Sequence, residues 1–165
     1  MVIIAAMTRD RVIGKDGKLP WTIPEEYEHF LSLIRGATVI MGRRSYEVFG
    51  GDCTCKQMIV VSRSMPASAG VHVCRSVDDA VALAATLGGP VFCAGGATIY
   101  AQTIDRAVEM DLSYIHGTYA GDSLFPEFDQ RDWTVMKREP HREFEFVVYV
   151  RGAGSSLLTW GTSHG

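Results

Sequence analysis

Short apolar runs alternate with amphipathic stretches along most of the chain, and this alternation limits the fold more than any other feature. The apolar runs predict strands over residues 2–7, 38–41, 57–62, 71–74, 90–94 and 109–117. The amphipathic stretches predict helices over residues 24–35, 43–48, 76–87 and 97–103. Because parallel strands need crossover connections, which are usually helices, this alternation indicates a mainly parallel sheet with helices on both faces. Two further alternating segments, 133–138 and 144–150, predict a terminal antiparallel strand pair.

The length, composition and charge fit a single globular α/β domain. The chain has 165 residues, of which 47% are apolar, so it can build a core and is not of the disordered class. A formal net charge of −3 gives no overall attraction to nucleic acid, and no apolar run is long enough to span a bilayer. Residues 2–7 are too short for a signal sequence. We therefore expect a cytoplasmic domain over residues 1–150, a mobile tail over residues 151–165, and neither nucleic acid nor a membrane as partner.

The four cysteines do not have the spacing of a zinc site, and no metal is expected. Cys93 falls in an apolar strand and is expected in the core. Cys53 and Cys55 are next-nearest neighbours, so we expect no disulfide between them. Reduced thiols are the default for a chain without an export signal.

Residues 14–30 join a glycine-rich, charged loop to a helix that begins with two carboxylates. Pro24 suits the first helical position, where its fixed φ fits the helix and its missing N–H costs no hydrogen bond. Glu25 and Glu26 follow directly. One of these two carboxylates is expected to face the protein interior.

Helical geometry selects Glu26 as the inward carboxylate. On a helix that advances about 100° per residue, Phe30 and Leu33 fall within roughly 40° of Glu26. The solvated side of this helix is expected to carry Glu25, Glu28, His29 and Ser32. Two interpretations of Glu26 stay open on these residues alone: a functional carboxylate, or a charge that only favours the positive helix N-terminus.

Two strand–glycine–helix turns are candidate phosphate sites. The chain has neither the G-x-G-x-x-G nor the Walker pattern, so a standard dinucleotide fold is disfavoured. Residues 42–45 (Gly-Arg-Arg-Ser) follow one predicted strand, and residues 95–98 (Gly-Gly-Ala-Thr) follow another. Backbone N–H groups and arginine side chains favour an anion at such a turn, and glycine lets it approach the backbone. The alternative for each segment is an ordinary turn.

The order and spacing of eight short motifs resemble the dihydrofolate reductase family over about residues 2–150. The motifs are Ile4-Ala5-Ala6, Arg11-Val12-Ile13-Gly14, Leu19-Pro20-Trp21, Pro24, Glu26, Val39-Ile40-Met41-Gly42-Arg43, Gly95-Gly96, and Gly121-Asp122 through Phe125-Pro126. The resemblance implies NADPH-dependent reduction of dihydrofolate to tetrahydrofolate, in which a hydride and a proton reach the pterin ring. It also implies a monomer that binds antifolate-type small molecules.

The resemblance assigns a substrate side to the site. Glu26 is expected to orient the pterin and assist proton delivery, with Ser113 supporting the acid and Trp21 holding a water near it. Leu19 belongs to the loop that is expected to cover the site. The expected substrate-binding residues are Ile4, Ala5, Glu26, Phe30, Phe49, Lys56, Ala94 and Ser113.

The resemblance also assigns a cofactor side, and three arginines there favour NADPH over NADH. Arg63 lies where the family reads the extra ribose phosphate, with Arg43 and Arg44 nearby, and Arg75 is expected beside the adenine. The Gly95–Gly96 bond is expected to be cis, and Asp122 is either a partner of the 15–19 loop or a turn aspartate. The expected cofactor-binding residues are Ala6, Ile13, Gly14, Lys18, Leu19, Gly42, Arg43, Arg44, Ser45, Ser62, Arg63, Ser64, Arg75, Gly95, Gly96, Ala97, Thr98, Ile99 and Tyr100.

Three positions depart from the family pattern. Lys56 stands where the family has the arginine that grips the folate carboxylate, and it offers a point charge instead of a fork. Ala94 is smaller than the usual branched residue, and Ala97 replaces a glycine. Two alternative functions therefore stay open: a pyrimidine reductase of riboflavin synthesis, and a nucleotide-binding module without catalysis.

Overall fold

The structure, a computed structural model, describes residues 1–152, which form an eight-stranded sheet with helices on both faces. The helices are α1 (Pro24–Leu33), α2 (Arg43–Phe49), α3 (Val77–Leu87) and α4 (Ala97–Thr103). The strands are β1 (Val2–Thr8), β2 (Val12–Gly14), β3 (Thr38–Gly42), β4 (Gln57–Val61), β5 (His72–Cys74), β6 (Val91–Cys93), β7 (Glu109–Ile115), β8 (Ser123–Leu124), β9 (Trp133–Pro140) and β10 (Phe144–Arg151).

The main sheet has the strand order β5-β4-β3-β6-β1-β7-β10-β9. The first six strands in this order run parallel to one another, and β10 runs antiparallel to both β7 and β9. This confirms the predicted α/β class, the parallel core and the antiparallel C-terminal pair. The order reverses direction around β6 and β1, and sheets of this kind bind ligands beyond the carboxyl ends of their strands.

Apolar strands buried on both faces explain why the sheet is central. Successive side chains of β1 point to opposite faces, so Ile3 packs in one apolar cluster and Ile4 in another. The Ile3 cluster includes Ile99 and Tyr100 from α4, and the Ile4 cluster is covered by side chains of α1. Helices on both faces therefore keep both sets of side chains away from water.

The helix boundaries follow local signals in the sequence. Pro24 opens α1, as predicted, and α1 ends at Leu33, two residues before the predicted end. Ser76 caps α3 by accepting a hydrogen bond from the Asp79 N–H, at 3.1 Å. Gly88, with φ of 74°, ends that helix as expected.

Two short elements were missed by sequence reasoning. Strands β2 and β8 pair antiparallel as a second small sheet beside the main one. They have three and two residues, which is too short to give a periodic pattern. Strand β10 ends at Arg151, one residue past the predicted domain boundary, and residues 153–165 of the expected tail lie outside the described residues. Within residues 1–152, no helix is both long and apolar enough to cross a bilayer.

Candidate active site

A cavity lies beside the carboxyl ends of the central strands and under α1. Strand β1, the Ala94–Gly96 turn after β6, and β7 supply one wall, and α1 supplies the other. Seven of the eight predicted substrate-binding residues line it: Ile4, Ala5, Glu26, Phe30, Phe49, Ala94 and Ser113. The eighth, Lys56, is exposed and does not contribute to this lining. The structure thus gathers side chains from five separate parts of the sequence around one apolar space.

Glu26 is the only carboxylate among the lining residues that the structure describes. It lies in the first turn of α1, and only 6% of its surface is exposed. Burial raises its pKa from 4.5 to about 7, because the charged form loses water; a hydrogen bond from the Ser113 hydroxyl acts in the opposite direction. Glu25 is exposed, as predicted, and its carboxylate lies 2.8 Å from Nδ1 of His141. Glu26 thus lies in the cavity and not at the solvent, and its raised pKa favours the interpretation as a functional carboxylate over that of a charge at the helix N-terminus.

The register of β7 explains why Ser113 reaches Glu26. Ser113 lies opposite Ala6 of β1 and Phe146 of β10, and it is buried. Its side chain therefore faces the side of the sheet that α1 covers. Asp111, two residues earlier on the same face of β7, is a second buried carboxyl, but it does not line the cavity. Burial, with Glu109 as a neighbour, raises the pKa of Asp111 to about 8.

The prediction that His29 faces solvent is wrong. His29 lines the cavity and packs edge-on against Phe146, with the ring centroids 4.4 Å apart. Its Nε2 is buried without a hydrogen-bond partner in residues 1–152, and burial lowers its pKa. The three-residue spacing from Glu26 places His29 about 60° from it on the helix, so the signal was present but the polarity of histidine obscured it. Phe146 was also missed, because its position depends on the register between β10 and β7.

A second space, a groove, adjoins the cavity where the two strand–glycine–helix turns meet. Its lining includes Gly42 to Ser45 and Gly96 to Ile99. The N–H of Gly42 donates to the carbonyl of Gly95 at 2.8 Å, and the Gly95–Gly96 bond is cis, as expected. A Cβ on Gly42 would lie 3.3 Å from Ile99 Cγ1, and one on Gly96 would lie 3.6 Å from Ser45 Oγ. Glycine keeps the backbone exposed to a ligand at this point.

Cations and hydroxyls lie at the edge of the groove and on the turn after β4. Arg43 binds Glu47 at 2.9 Å and donates to Ser64 Oγ at 3.3 Å. Arg75 donates to the backbone carbonyls of Ser62 and Arg63, which fixes the turn after β4. In residues 1–152, the guanidinium groups of Arg44 and Arg63 have neither a hydrogen bond nor an ion pair to another residue. This donor set fits the phosphates of a dinucleotide.

The loop between β2 and α1 lies over both spaces. Leu19 and Ile13 line the cavity and the groove together. The N–H of Asp16 donates to Asp122 Oδ2 at 3.1 Å, and the N–H of Asp122 donates to the Gly14 carbonyl at 3.0 Å. The structure thus favours the interpretation of Asp122 as a partner of the loop backbone. Gly121 is required here, because a Cβ would clash with Val12 and the Gly14 carbonyl.

Several predicted site residues do not line the space to which they were assigned. Trp21 is buried, packs edge-on against Tyr119, and lines neither space. Of the predicted cofactor residues, three line the cavity and not the groove: Ala6, Gly95 and Tyr100. Four others line neither space: Ser62, Arg63, Ser64 and Arg75. The Tyr100 hydroxyl donates to the Ile4 carbonyl at 2.7 Å, so it supports the cavity floor. Within the described residues, no cluster of three or more His, Cys, Asp or Glu side chains is placed to hold a metal ion.

Comparison with known proteins identifies the family. The family model for dihydrofolate reductase matches residues 1–151. Relatives include dihydrofolate reductase HdrB of Haloferax volcanii, 34% identical over 91% of this chain and 82% of the relative. The Bacillus subtilis dihydrofolate reductase is 34% identical over 90% of this chain and 92% of the relative.

A solved structure extends this comparison to the fold. Dihydrofolate reductase from Enterococcus faecalis, complexed with NADP(H) and RAB-propyl, superimposes with a TM-score of 0.83 at 27% identity. The match covers 92% of this chain and 95% of that structure. These findings favour the reductase of dihydrofolate over the pyrimidine reductase and over the module without catalysis. The chain belongs to the dihydrofolate reductase family, and its activity is the NADPH-dependent reduction of dihydrofolate to tetrahydrofolate.

Proposed function

We propose that Glu26 orients the pterin of dihydrofolate and holds or relays the proton that the reduction consumes. The observation that carries this proposal is the burial of Glu26 in an apolar cavity, which raises its pKa to about 7. An acid with a pKa near the working pH has both a substantial protonated fraction and a useful tendency to release its proton. In its ionised form, the same carboxylate can accept two hydrogen bonds from the amino and ring N–H groups of a pterin.

Ser113 and Trp21 are positioning residues in this proposal. The Ser113 hydroxyl donates to the Glu26 carboxylate, which sets the orientation of the acid and limits the rise of its pKa. The Trp21 Nε1–H is buried and has no hydrogen-bond partner in residues 1–152. A buried N–H of this kind supports the predicted contact with a water molecule near the acid.

The groove is proposed to hold NADPH, which supplies the hydride when bound. The backbone near Gly42 and Gly96 is open to a phosphate, because neither residue carries a Cβ. The guanidinium groups of Arg44 and Arg63 have no partner among residues 1–152, which favours a cofactor with the extra ribose phosphate. The loop with Leu19 is proposed to exclude water from the region between groove and cavity.

The proposal also covers the glutamate tail of the folate, the binding of antifolates and the oligomeric state. Lys56 is exposed and carries the charge that would meet the glutamate carboxylate outside the cavity. Antifolate-type molecules are proposed to bind the cavity through Glu26. We also propose that the chain acts as a cytoplasmic monomer, which the resemblance implies.

The test is NADPH oxidation with dihydrofolate, measured on the native chain and on Glu26→Gln. The amide keeps the shape of the side chain and removes the ionisable group, so kcat/KM should fall by about 10²- to 10³-fold while the Kd for NADPH is unchanged. In the native chain, kcat/KM should decrease as pH rises through about 7, because Glu26 loses its proton.

Glu25→Gln is the matched control. Glu25 is the neighbouring carboxylate on the same helix turn, it is exposed, and its removal should change kcat/KM by no more than about twofold. A Glu26→Gln variant as active as Glu25→Gln at neutral pH would overturn the role proposed for Glu26.

A further inference from the structure

A side-chain hydrogen bond joins α1 to the turn after α2 at the outer end of the cavity. The Tyr27 hydroxyl donates to Asp52 Oδ2 at 2.7 Å. Tyr27 directly follows Glu26 and lines the cavity, whereas Asp52 ends the single turn Gly50–Asp52 and is exposed. Exposure increases from the buried Glu26 through the half-buried Tyr27 to Asp52. This hydrogen bond, called the Tyr27–Asp52 bridge below, therefore lies where the cavity meets solvent.

Three aromatic side chains line the cavity next to the bridge. The ring centroid of Tyr27 lies 6.1 Å from that of Phe30 on α1 and 6.1 Å from that of Phe49 at the end of α2. All three residues line the cavity. The Tyr27 side chain therefore reaches from α1 across to the segment after α2, with its ring beside Phe49 and its hydroxyl on Asp52.

The bridge is the less firmly held of two side-chain links between α1 and residues 50–56. At the other link, the Thr54 hydroxyl donates to the Leu31 carbonyl at 2.7 Å, and the Gly36 N–H donates to the Thr54 carbonyl at 3.1 Å. The bridge is a single exposed side-chain bond without such backbone support in residues 1–152. Because an exposed hydrogen bond contributes little net stability, a bound ligand can displace the bridge while Thr54 keeps the segment in place.

The tail of a folate passes the bridge when the substrate is bound as in the proposed function, on which this inference rests. The pterin is then held at Glu26, and the glutamate carboxylate lies near Lys56, which follows Asp52 on the same segment. The benzoyl group between them lies along the aromatic side chains next to the bridge. Asp52 thus places a negative charge where the negatively charged tail leaves the cavity, and like charges repel.

We propose that Tyr27 and Asp52 are specificity-determining residues, and that their bridge disfavours pterins with an anionic glutamate tail relative to pterins without a tail. Two effects act in this direction. The tail has to displace the Tyr27 hydroxyl from Asp52, and its carboxylates approach the Asp52 charge. Neither effect involves the reacting atoms, so the bridge should change KM and leave kcat unchanged.

The test compares kcat/KM for dihydrofolate with kcat/KM for a dihydropterin that carries a methyl group in place of the tail. Asp52→Asn removes the charge and weakens the bridge, so kcat/KM for dihydrofolate should rise about three- to fivefold, through KM. Tyr27→Phe keeps the ring and removes only the hydroxyl, so the rise should be smaller, about twofold. Neither variant should change kcat/KM for the tailless pterin.

Two further observations separate the charge from the hydrogen bond. The gain in Asp52→Asn should shrink as ionic strength rises, because salt screens exposed charges. In the double variant, the gain should be less than the product of the two single gains, since both substitutions remove the same hydrogen bond. Titration with folate and with methylpterin, neither of them reduced during the measurement, should give the same order of variants in Kd.

Glu28→Gln is the matched control. Glu28 is an exposed carboxylate on the same helix, without a hydrogen bond or an ion pair to another side chain in residues 1–152. This variant should leave the ratio of the two kcat/KM values unchanged. An equal gain for dihydrofolate in Glu28→Gln would show a general effect of net charge and overturn the proposal. Equal gains for both substrates in Asp52→Asn, or no gain for either, would also overturn it.

Glu26→Gln distinguishes a failure of this inference from a failure of the proposed function. That variant should lose turnover of both substrates, because Glu26 is proposed to act on the ring that they share. Full turnover of both substrates by Glu26→Gln would reject the placement of the pterin. An unchanged substrate ratio in Tyr27→Phe and Asp52→Asn, with Glu26→Gln inactive, would reject the bridge alone. Thermal midpoints close to that of the native chain show that each variant is folded.

Discussion

The cavity and the groove adjoin each other, but the side chains that line them differ in kind. The cavity is lined mainly by apolar side chains, and burial raises the pKa of Glu26, the single carboxyl among the lining residues of the described part of the chain. The groove is formed by glycine turns, with exposed cations at its edge. In the proposed function, proton transfer in the cavity depends on one side chain, Glu26. Anion binding in the groove depends instead on several backbone N–H groups and arginine side chains.

This difference predicts different sensitivities. A single substitution in the cavity should change the pH dependence of the protein, because the protonation of one buried group carries the effect. A single substitution in the groove should weaken binding of an anion without changing the pH dependence near neutrality. Exposed cations are also screened by salt, so binding in the groove should weaken as ionic strength rises.

The largest expected effect on stability comes from Glu26→Gln in the protein without ligands. Glu26 has a folded pKa of about 7 and an ordinary value of 4.5, so the folded state binds its proton more tightly than the unfolded state. Its stabilising contribution is complete below about pH 4.5 and is lost as pH rises through about 7. In urea unfolding, the free energy of unfolding of Glu26→Gln should therefore rise by about 3 kcal/mol relative to that of the native chain between about pH 4 and about pH 8.

The control for this prediction is again Glu25→Gln. Its free energy of unfolding relative to the native chain should not show the rise between about pH 4 and about pH 8. His141 touches Glu25, so the comparison is made on the difference between the two variants. A constant difference between native and Glu26→Gln across this range would contradict the raised pKa.

A smaller effect is expected from the groove cations. Arg63→Gln and Arg44→Gln should each raise the Kd for NADPH about tenfold, because a charge-assisted hydrogen bond to phosphate is lost. The Kd for NADH should change little, since that cofactor lacks the extra phosphate. Calorimetric or fluorescence titration measures both values, and Arg106→Gln, whose partner Asp78 lies outside the groove, is the control. Equal weakening of NADPH and NADH would break the proposed assignment.

The smallest effect is expected from Ser113→Ala. The hydroxyl lowers the pKa of Glu26, so its removal should raise that pKa and move the fall of kcat/KM to higher pH. The rate at neutral pH should fall by only severalfold, because the acid itself remains. The pH profile of kcat/KM measures this shift, with the exposed Ser32→Ala as the control. A profile identical to that of the native chain would remove Ser113 from the role of positioning residue.

Local signals in the sequence were enough for the sheet class and for the inward face of α1, whereas the other cavity residues were expected from the family resemblance. Pro24 and the spacing of Glu26, Phe30 and Leu33 predicted both the start of α1 and its inward carboxyl, because helical periodicity is a local property. The glycine turns at Gly42 and Gly95 were predicted for the same reason, and the structure brings them together.

Features that depend on long-range pairing were not predicted. Phe146 enters the cavity only because β10 pairs with β7 in one particular register. Asp111 is buried on β7, and its polar character gave no sign of this.

The central claim is that burial gives Glu26 a pKa near neutrality, and a direct titration of that carboxyl tests it. Infrared difference spectra between the native chain and Glu26→Gln isolate the carboxyl and carboxylate bands of this one side chain. We predict a midpoint at about pH 7 in the ligand-free protein. A midpoint at the ordinary value of 4.5 would contradict the account, because Glu26 would then be almost fully ionised at neutral pH.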